Sequence, residues 1–247
     1  MAKHLTRDEI EEAAARDGSR RSPNMRPKDA GTLIILDGKG PNAKMLMGRR
    51  HERHAFMPGL FVFPGGRVDR ADGDAGTCDA LHPDVETRLL RGLKGKPTRR
   101  RAKAIALATI RETYEEAGLF LGTPTECPQR HPDWAAFREH GIAPTLSGLR
   151  LIARAITPPG RNRRFDAWFF AIQAEAIAHR LPTGPSGELE DLHWLTIEQA
   201  HDLELPVITK TILNELSERL KADPDLSPAT EIPFHHMKNG TFQRDLI

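Results

Sequence analysis

Two cysteines in 247 residues, Cys78 and Cys127, are too few for a disulfide framework. Neither has a CxxC partner, so a cysteine-held zinc site is not expected. No apolar run approaches the ~18 residues that a membrane-spanning helix needs. The stretch MAKHLTRDEIEEAAARDG has no apolar segment after its first charges, so it is not read as a secretory signal, and the expected compartment is the reducing cytoplasm. An excess of one charge is also missing. Lys plus Arg total 36 against 34 Asp plus Glu, a formal net charge of +2 that gives no reason to expect a nucleic-acid partner. Hydrophobic residues make up 38% and charged residues 28%, a water-soluble globular balance on the lean side in apolar residues. There is no internal repeat and no low-complexity tract. What remains is one compact domain with appendages, or two small domains.

Other signatures are absent too. Gly95-Lys96 is followed by Pro97 and lacks the upstream glycine of a phosphate-binding loop. His51-Glu52-Arg53-His54 does not have the HExxH spacing, and His235-His236 are adjacent, so all these histidines are read as surface residues. Asn239-Gly240-Thr241 matches a glycosylation acceptor but is not expected to be used. The basic runs Arg99-Arg100-Arg101 and Arg161 to Arg164 are read as solvated faces.

Thr6 and Glu9 form a capping-box pair, which predicts a short helix over Arg7 to Ala15. Gly31 to Leu36 is a short apolar run that predicts a strand. Asp37 to Asn42 is its turn and Lys44 to Gly48 the returning strand, a hairpin rather than a βαβ start. Phe61 to Phe63 reads as a strand broken by Pro64-Gly65-Gly66. Asp72 to Thr98 reads as a long polar loop with one helical turn near Val85 to Arg91. Arg99 to Ala117 is the clearest helix, rich in alanine and stopped by Gly118. Strands follow at Leu149 to Ile156, Phe165 to Gln173 and Leu192 to Leu195. Helices follow at Thr196 to Leu203 and Pro206 to Ala222, and then an irregular tail. Strands and helices mix without regular βαβ alternation, so the expected class is α/β, a mixed sheet with helical cover. The expected division is a polar arm over 1–26, one domain over 27–221 and a tail over 222–247.

The chemistry concentrates in Arg111-Glu112-Thr113-Tyr114-Glu115-Glu116-Ala117-Gly118-Leu119. On a helix Glu112, Glu115 and Glu116 share one face at i, i+3 and i+4. Three carboxylates that close repel unless a positive charge stands among them, and a hard divalent cation with oxygen ligands answers that need. Arg111 lies four residues before Glu115 and can neutralise or orient it. Upstream, Gly65-Gly66 lets backbone approach a metal or a phosphate closely.

These residues resemble the Nudix hydrolases, whose box is written G-x5-E-x7-R-E-U-x-E-E-x-G-U with U a bulky apolar residue. Arg111, Glu112, Glu115, Glu116, Gly118 and Leu119 match its second half, with Thr113 in an apolar slot. Gly66 matches its first glycine, and Asp72 stands where the first glutamate is expected. Gly66 and Arg111 are 45 positions apart, 31 more than the box requires, so the resemblance implies an insertion over about 73–98. A narrower resemblance is to the peroxisomal and mitochondrial coenzyme A diphosphatase branch. It rests on Phe56 to Gly66, Ile156-Thr157-Pro158, Arg164-Phe165-Asp166 and Trp168-Phe169-Phe170. Arg50 and Gly59 match that branch's upstream signature, whereas His51 and Ala55 depart from it.

The resemblance implies an α/β/α sandwich and metal-dependent hydrolysis of a diphosphate linkage in a nucleoside-diphosphate-X substrate, with coenzyme A or acyl-CoA as the leading guess. It implies Mg2+ or Mn2+ held by Glu112, Glu115, Glu116 and the Gly66 carbonyl. Arg50, Gly65 and Gly66 would touch substrate. Arg111 and Glu115 would serve catalysis, with a general base from Glu188 or Glu190 in Gly187 to Trp194, or from the helix glutamates themselves. The expected partner is a small diphosphate, not nucleic acid or membrane; a homodimer is compatible with the sequence. The competing class is a ligand-sensing or interaction protein that keeps the fold without turnover.

Overall fold

In the first strand Leu33 and Ile35 point to one side and Ile34 and Leu36 to the other, and all four are buried. Successive strand side chains alternate, so this uninterrupted apolar run marks a strand covered on both faces. The computed structural model describes residues 25–53, 58–126, 129–161 and 163–247. The helix predicted over Arg7 to Ala15, the residues His54 to Met57 and Cys127 lie outside the described residues.

In chain order the strands are β1 (Lys28–Asp37), β2 (Lys44–Arg50), β3 (Phe61–Val62), β4 (Gly65–Arg67), β5 (Leu119–Pro124) and β6 (Ile142–Pro144). Then come β7 (Arg150–Ile156), β8 (Phe165–Gln173), β9 (Ile177–Arg180), β10 (Leu189–Leu195), β11 (Pro233–Lys238) and β12 (Thr241–Leu246). The α-helices are α1 (Pro83–Gly92), α2 (Arg99–Ala117), α3 (Ala135–Glu139), α4 (Ile197–His201) and α5 (Val207–Ala222). The main sheet runs β10-β2-β1-β8-β7-β11-β12, with β3 added to β2 and β4 to β1. It is mixed: β1–β8 and β7–β11 are parallel, the other pairs antiparallel. A second sheet runs β6-β5-β9.

Two apolar layers flank the main sheet. Leu33, Ile35, Trp168 and Phe170 pack with α1 and α2 through Val85, Leu89, Ile105 and Ile110. Ile34, Leu36, Met45 and Met47 pack with α5 through Ile212, Leu213, Leu216 and Leu220. Each such side chain, fully buried, contributes roughly 1.5–3 kcal/mol. Among the described residues no helix is long and apolar enough to cross a membrane.

Two expectations are corrected. Asp72 to Thr98 is not a loop with one helical turn, because α1 spans Pro83–Gly92 and Val85 and Leu89 are fully buried. His82 caps it through Nδ1, which accepts the Asp84 N–H at 3.3 Å. The many polar residues hid a helix that needs only one narrow apolar stripe. Residues after Ala222 are not an irregular tail either: β11 and β12 extend the main sheet. Asn239-Gly240 makes that hairpin turn, both residues at positive φ, so the apparent glycosylation signature is a turn signal.

Candidate active site

Helix α2 starts at Thr98, whose hydroxyl accepts the Arg101 N–H at 3.2 Å. It stops at Gly118, left-handed at φ 68°, whose N–H bonds the Tyr114 carbonyl at 2.9 Å. Five of its buried residues are alanines, Ala102, Ala104, Ala106, Ala108 and Ala117, and it lies close on the sheet. A Cβ on Gly31 would come within 2.7 Å of the Ile105 carbonyl oxygen. This contact sets the last helical turns beside β4. Thr113 is buried with its hydroxyl donating to the Thr109 carbonyl at 2.7 Å, so it occupies an apolar slot at no unsatisfied cost.

Arg111 is the hub. It is buried and donates to Asp72 through Nε at 2.8 Å and Nη2 at 3.2 Å, and to the Arg67 carbonyl at 3.0 Å. Its Nη1 lies 2.8 Å from Glu112 and 3.0 Å from Glu115. Burial opposes its charge, but Asp72, Glu112 and Glu115 outweigh burial and raise its pKa. Asp72 is itself fully buried, and its second oxygen accepts the Asp69 N–H at 2.8 Å.

Two of the three helix carboxylates, Glu112 and Glu116, lie against the Gly65-Gly66 backbone. A Cβ on Gly66 would collide with the Glu112 carboxylate. The Gly65 N–H donates to Glu116 Oε2 at 2.9 Å, and Arg50 Nη2 lies 3.8 Å from Glu116 Oε1. Burial, opposed by Arg111 and reinforced by Glu115, pushes Glu112 up to about 7. Burial also pushes Glu116 up to about 8; Arg50 and the Gly65 amide pull it down, while Glu112 and Glu188 add to the rise. Glu115 is raised as well, by burial first, with Asp133 adding to it against Arg111.

The segment before β10 closes over the end of α2. The Ser186 N–H satisfies the Glu115 carbonyl at 2.8 Å, and Gly184 lies so close to the Glu116 carbonyl that it has no room for a side chain. Glu188 and Glu190 follow. The Glu188 carbonyl accepts the His51 N–H at 3.0 Å, and Glu190 Oε1 lies 3.1 Å from His51 Nε2. His51 is therefore not an idle surface histidine, and the absence of a metal-ligand spacing around it concealed a contact made across strands. His235 is also misread as a surface residue. It is buried, 3.1 Å from Glu215, because the hairpin folds back on α5. Of the basic runs, Arg100 forks onto Asp74 and Arg101 onto Asp29, so only part of that face is simply solvated.

The donor set fits a hard divalent cation. Three carboxylates with raised pKa values crowd one turn, and a glycine backbone leaves the space beside Glu112 clear of side chains. In this structure Glu112 and Glu115 turn to Arg111, so among the described residues no three His, Cys, Asp or Glu side chains form a ready-made ion cage.

No family model matches the chain. Among solved structures it is similar to a NUDIX hydrolase from Alicyclobacillus acidocaldarius, at 24% identity over 83% of this chain and 99% of that one, with a TM-score of 0.56. A Nudix hydrolase from M. smegmatis matches at 16% identity over 84% of this chain and 97% of its own, with a TM-score of 0.44. The NUDIX domain of Shewanella oneidensis NrtR, complexed with ADP ribose in that structure, matches at 11% identity over 87% and 99%, with a TM-score of 0.46. The fold is an α/β, Nudix-type arrangement of a mixed sheet between helical layers.

Proposed function

We propose that the protein hydrolyses a diphosphate linkage in a nucleoside-diphosphate-X substrate, using Mg2+ or Mn2+. The observation that carries this reading is the buried Arg111, bonded at once to Asp72, Glu112 and Glu115, with Glu116 bonded to the Gly65 amide. A solvated acidic helix face has no reason to bury its arginine or to lie against a glycine pair.

Glu112, Glu115 and Glu116 would hold the cation, with the Gly66 carbonyl as a further ligand. The bound ion supplies Lewis-acid stabilisation of phosphate charge and acidifies water. Arg111 positions Glu112 and Glu115, and its own charge offsets part of their repulsion. Arg50, beside Glu116, offers a guanidinium to the diphosphate. A loop carboxylate, Glu188 or Glu190, takes the water proton as the water oxygen bonds phosphorus and the bridging P–O bond breaks. The stretch between Asp72 and α2 is read as an insertion in the box that leaves the Asp72–Arg111 pair closed. Within the substrate class, coenzyme A and acyl-CoA come first, on the resemblance of the residues around Arg50 and Gly59.

The test is phosphate or nucleotide release from a panel of coenzyme A, acyl-CoA, ADP-ribose, dinucleotides and nucleotide sugars with Mg2+ or Mn2+. Glu116→Gln should lower turnover by at least ~100-fold. Equal rates in both proteins would remove the site assignment. Mg2+ binding with no release from any compound would turn the reading to a ligand-sensing protein.

A further inference from the structure

A free sheet edge offers unpaired backbone N–H and C=O groups to a further strand, and proteins blunt such edges with short strands, proline, bulges or charge. Most edges of this fold are blunted. β3, β4 and β6 have two or three residues each, and β6 ends in Pro144, whose carbonyl already accepts the Cys78 N–H at 3.0 Å. β9 has four residues and meets β5 through a register shift. β10, at one end of the main sheet, bulges between Glu190 and His193, and Asp191 sits at φ 48°. β12, at the other end, has none of these features. Its six residues contain no proline and pair with β11 in one unbroken register. Its charges are already engaged: Arg244 forks onto Glu215 at 2.7 and 2.8 Å, and Asp245 lies 2.8 Å from His236 Nε2. Leu246, 54% exposed, is the one exposed large apolar side chain among the described residues, and it stands on this strand.

The ladder fixes which groups of β12 point outward. Ile232 and Ile247 exchange both backbone bonds at 3.0 Å. Bonded pairs alternate along an antiparallel ladder, so Asp245, Gln243 and Thr241 also turn their backbone groups to β11. Phe242, Arg244 and Leu246 therefore direct N–H and C=O outward, and among the described residues no strand meets them. Their side chains share the α5 face: Arg244 reaches Glu215, and the Phe242 ring lies 6.1 Å from His235. Gln243 and Asp245 share the other face.

We propose that β12 is a dimerisation edge, pairing antiparallel with β12 of a second copy about a twofold axis at Arg244. The register argues for a second copy as the occupant. With Arg244 opposite its counterpart, Phe242 of each copy faces Leu246 of the other, and Gln243 faces Asp245. Each outward residue then exchanges both backbone bonds. Both exposed leucines are covered, and the Gln243 amide can donate to the Asp245 carboxylate. The two guanidiniums that meet at the axis each carry the carboxylate of their own Glu215. A slip of the pairing is worse in either direction. One way leaves Leu246 beyond the partner strand, and the other sets Asp245 against Asp245, a like-charge pair. A contact of this kind closes on itself and stops at two copies. Metal and substrate take no part in it.

The experiment is sedimentation velocity on the full chain over a range of concentrations, with amide hydrogen exchange on the same samples. The wild type should show a monomer–dimer equilibrium with a Kd on the order of micromolar. In the dimer the amides of Phe242, Arg244 and Leu246 should exchange at least ~10-fold more slowly than in the diluted monomer. Leu246→Lys puts a charge on the edge, and Leu246→Pro removes an N–H that points outward, so neither touches the β11 ladder. Each should raise the Kd at least ~10-fold while the diluted monomer melts as the wild type does. Gln243→Lys, set opposite Asp245 of the other copy, should tighten the dimer, and Gln243→Asp should weaken it. If a Leu246 variant fails to fold, the Gln243 pair decides. A wild type that stays monomeric at every concentration overturns the proposal. Fast exchange at the three amides would then mean an open edge, and slow exchange another segment of the chain lying across it. A dimer indifferent to both Leu246 variants uses another face and overturns it as well. Association that continues past two copies overturns the twofold contact. Shifts of the same sign from Gln243→Lys and Gln243→Asp overturn the register.

Discussion

Asp72 and Arg111 stand 39 residues apart in sequence and form one buried two-point ion pair, at 2.8 and 3.2 Å. The pair ties the short turn after β4 to the helix that carries all three glutamates. Removing one partner of a buried pair strands the other charge, at a cost of about 3–5 kcal/mol. Asp72→Asn should therefore lower the melting temperature markedly and cut hydrolysis further than stability alone explains, because Arg111 also holds Glu112 and Glu115. Circular-dichroism melts and rates measured well below the transition check both halves. A variant with wild-type stability and rate would show that the pair positions nothing.

The stretch between that pair is part of the core rather than a decoration on it. Leu89 is fully buried among Val85, Leu93 and the sheet, and Arg88 donates to the carbonyls of Pro228, Ala229 and Ile247. Leu89→Ala should cost ~2–5 kcal/mol in a denaturant titration. Shortening residues 73–96, which as a loop would only shift substrate preference, should instead unfold the domain. A shortened protein with a normal cooperative transition would restore the loop reading.

What the sequence revealed and what it hid follow from the range of the forces. Helix α2 was legible because its signals are local: alanines, a threonine cap, a terminal glycine and the i, i+3, i+4 glutamates. Strands β1 and β8 were legible as apolar runs. Helix α1 was hidden because its apolar stripe, Val85, Leu89 and Leu93, lies in a polar context and takes its meaning from a sheet far along the chain. The β11–β12 hairpin was hidden because Pro233 and a His-His pair look irregular until Glu215 and β7 receive them. At the site, Asp72 lay in view but its distance to Arg111 did not. His51 meets Glu190 only because β2 and β10 pair antiparallel, a register no local pattern announces.

Gly66 bears on the site through what it lacks. Any side chain there would enter the space of the Glu112 carboxylate. Gly66→Ala should displace Glu112, weaken Mg2+ binding by about 10-fold or more and reduce turnover in proportion. Isothermal titration with Mg2+ and steady-state rates measure the two effects. Unaltered Mg2+ affinity would separate Glu112 from the ion site.

The last test is a pH dependence far from the site. Glu215 on α5 accepts both arms of Arg244 at 2.7 and 2.8 Å and faces His235 at 3.1 Å, which locks the terminal hairpin to the helix. Burial works against the Glu215 charge, yet Arg244 and His235 prevail and hold its pKa down at about 2. A carboxyl held below its unfolded value binds fewer protons folded than unfolded, so its contribution to stability is fully present above the ordinary glutamate value of about 4.5 and fades as pH falls toward about 2. Glu215→Gln should thus melt below the wild type near pH 7, by an amount corresponding to ~1–3 kcal/mol. The gap should narrow through pH 4 and close near pH 2. Melting curves of both proteins across that range decide it. A gap that stays constant with pH would mean that packing, not the charge of Glu215, holds the hairpin in place.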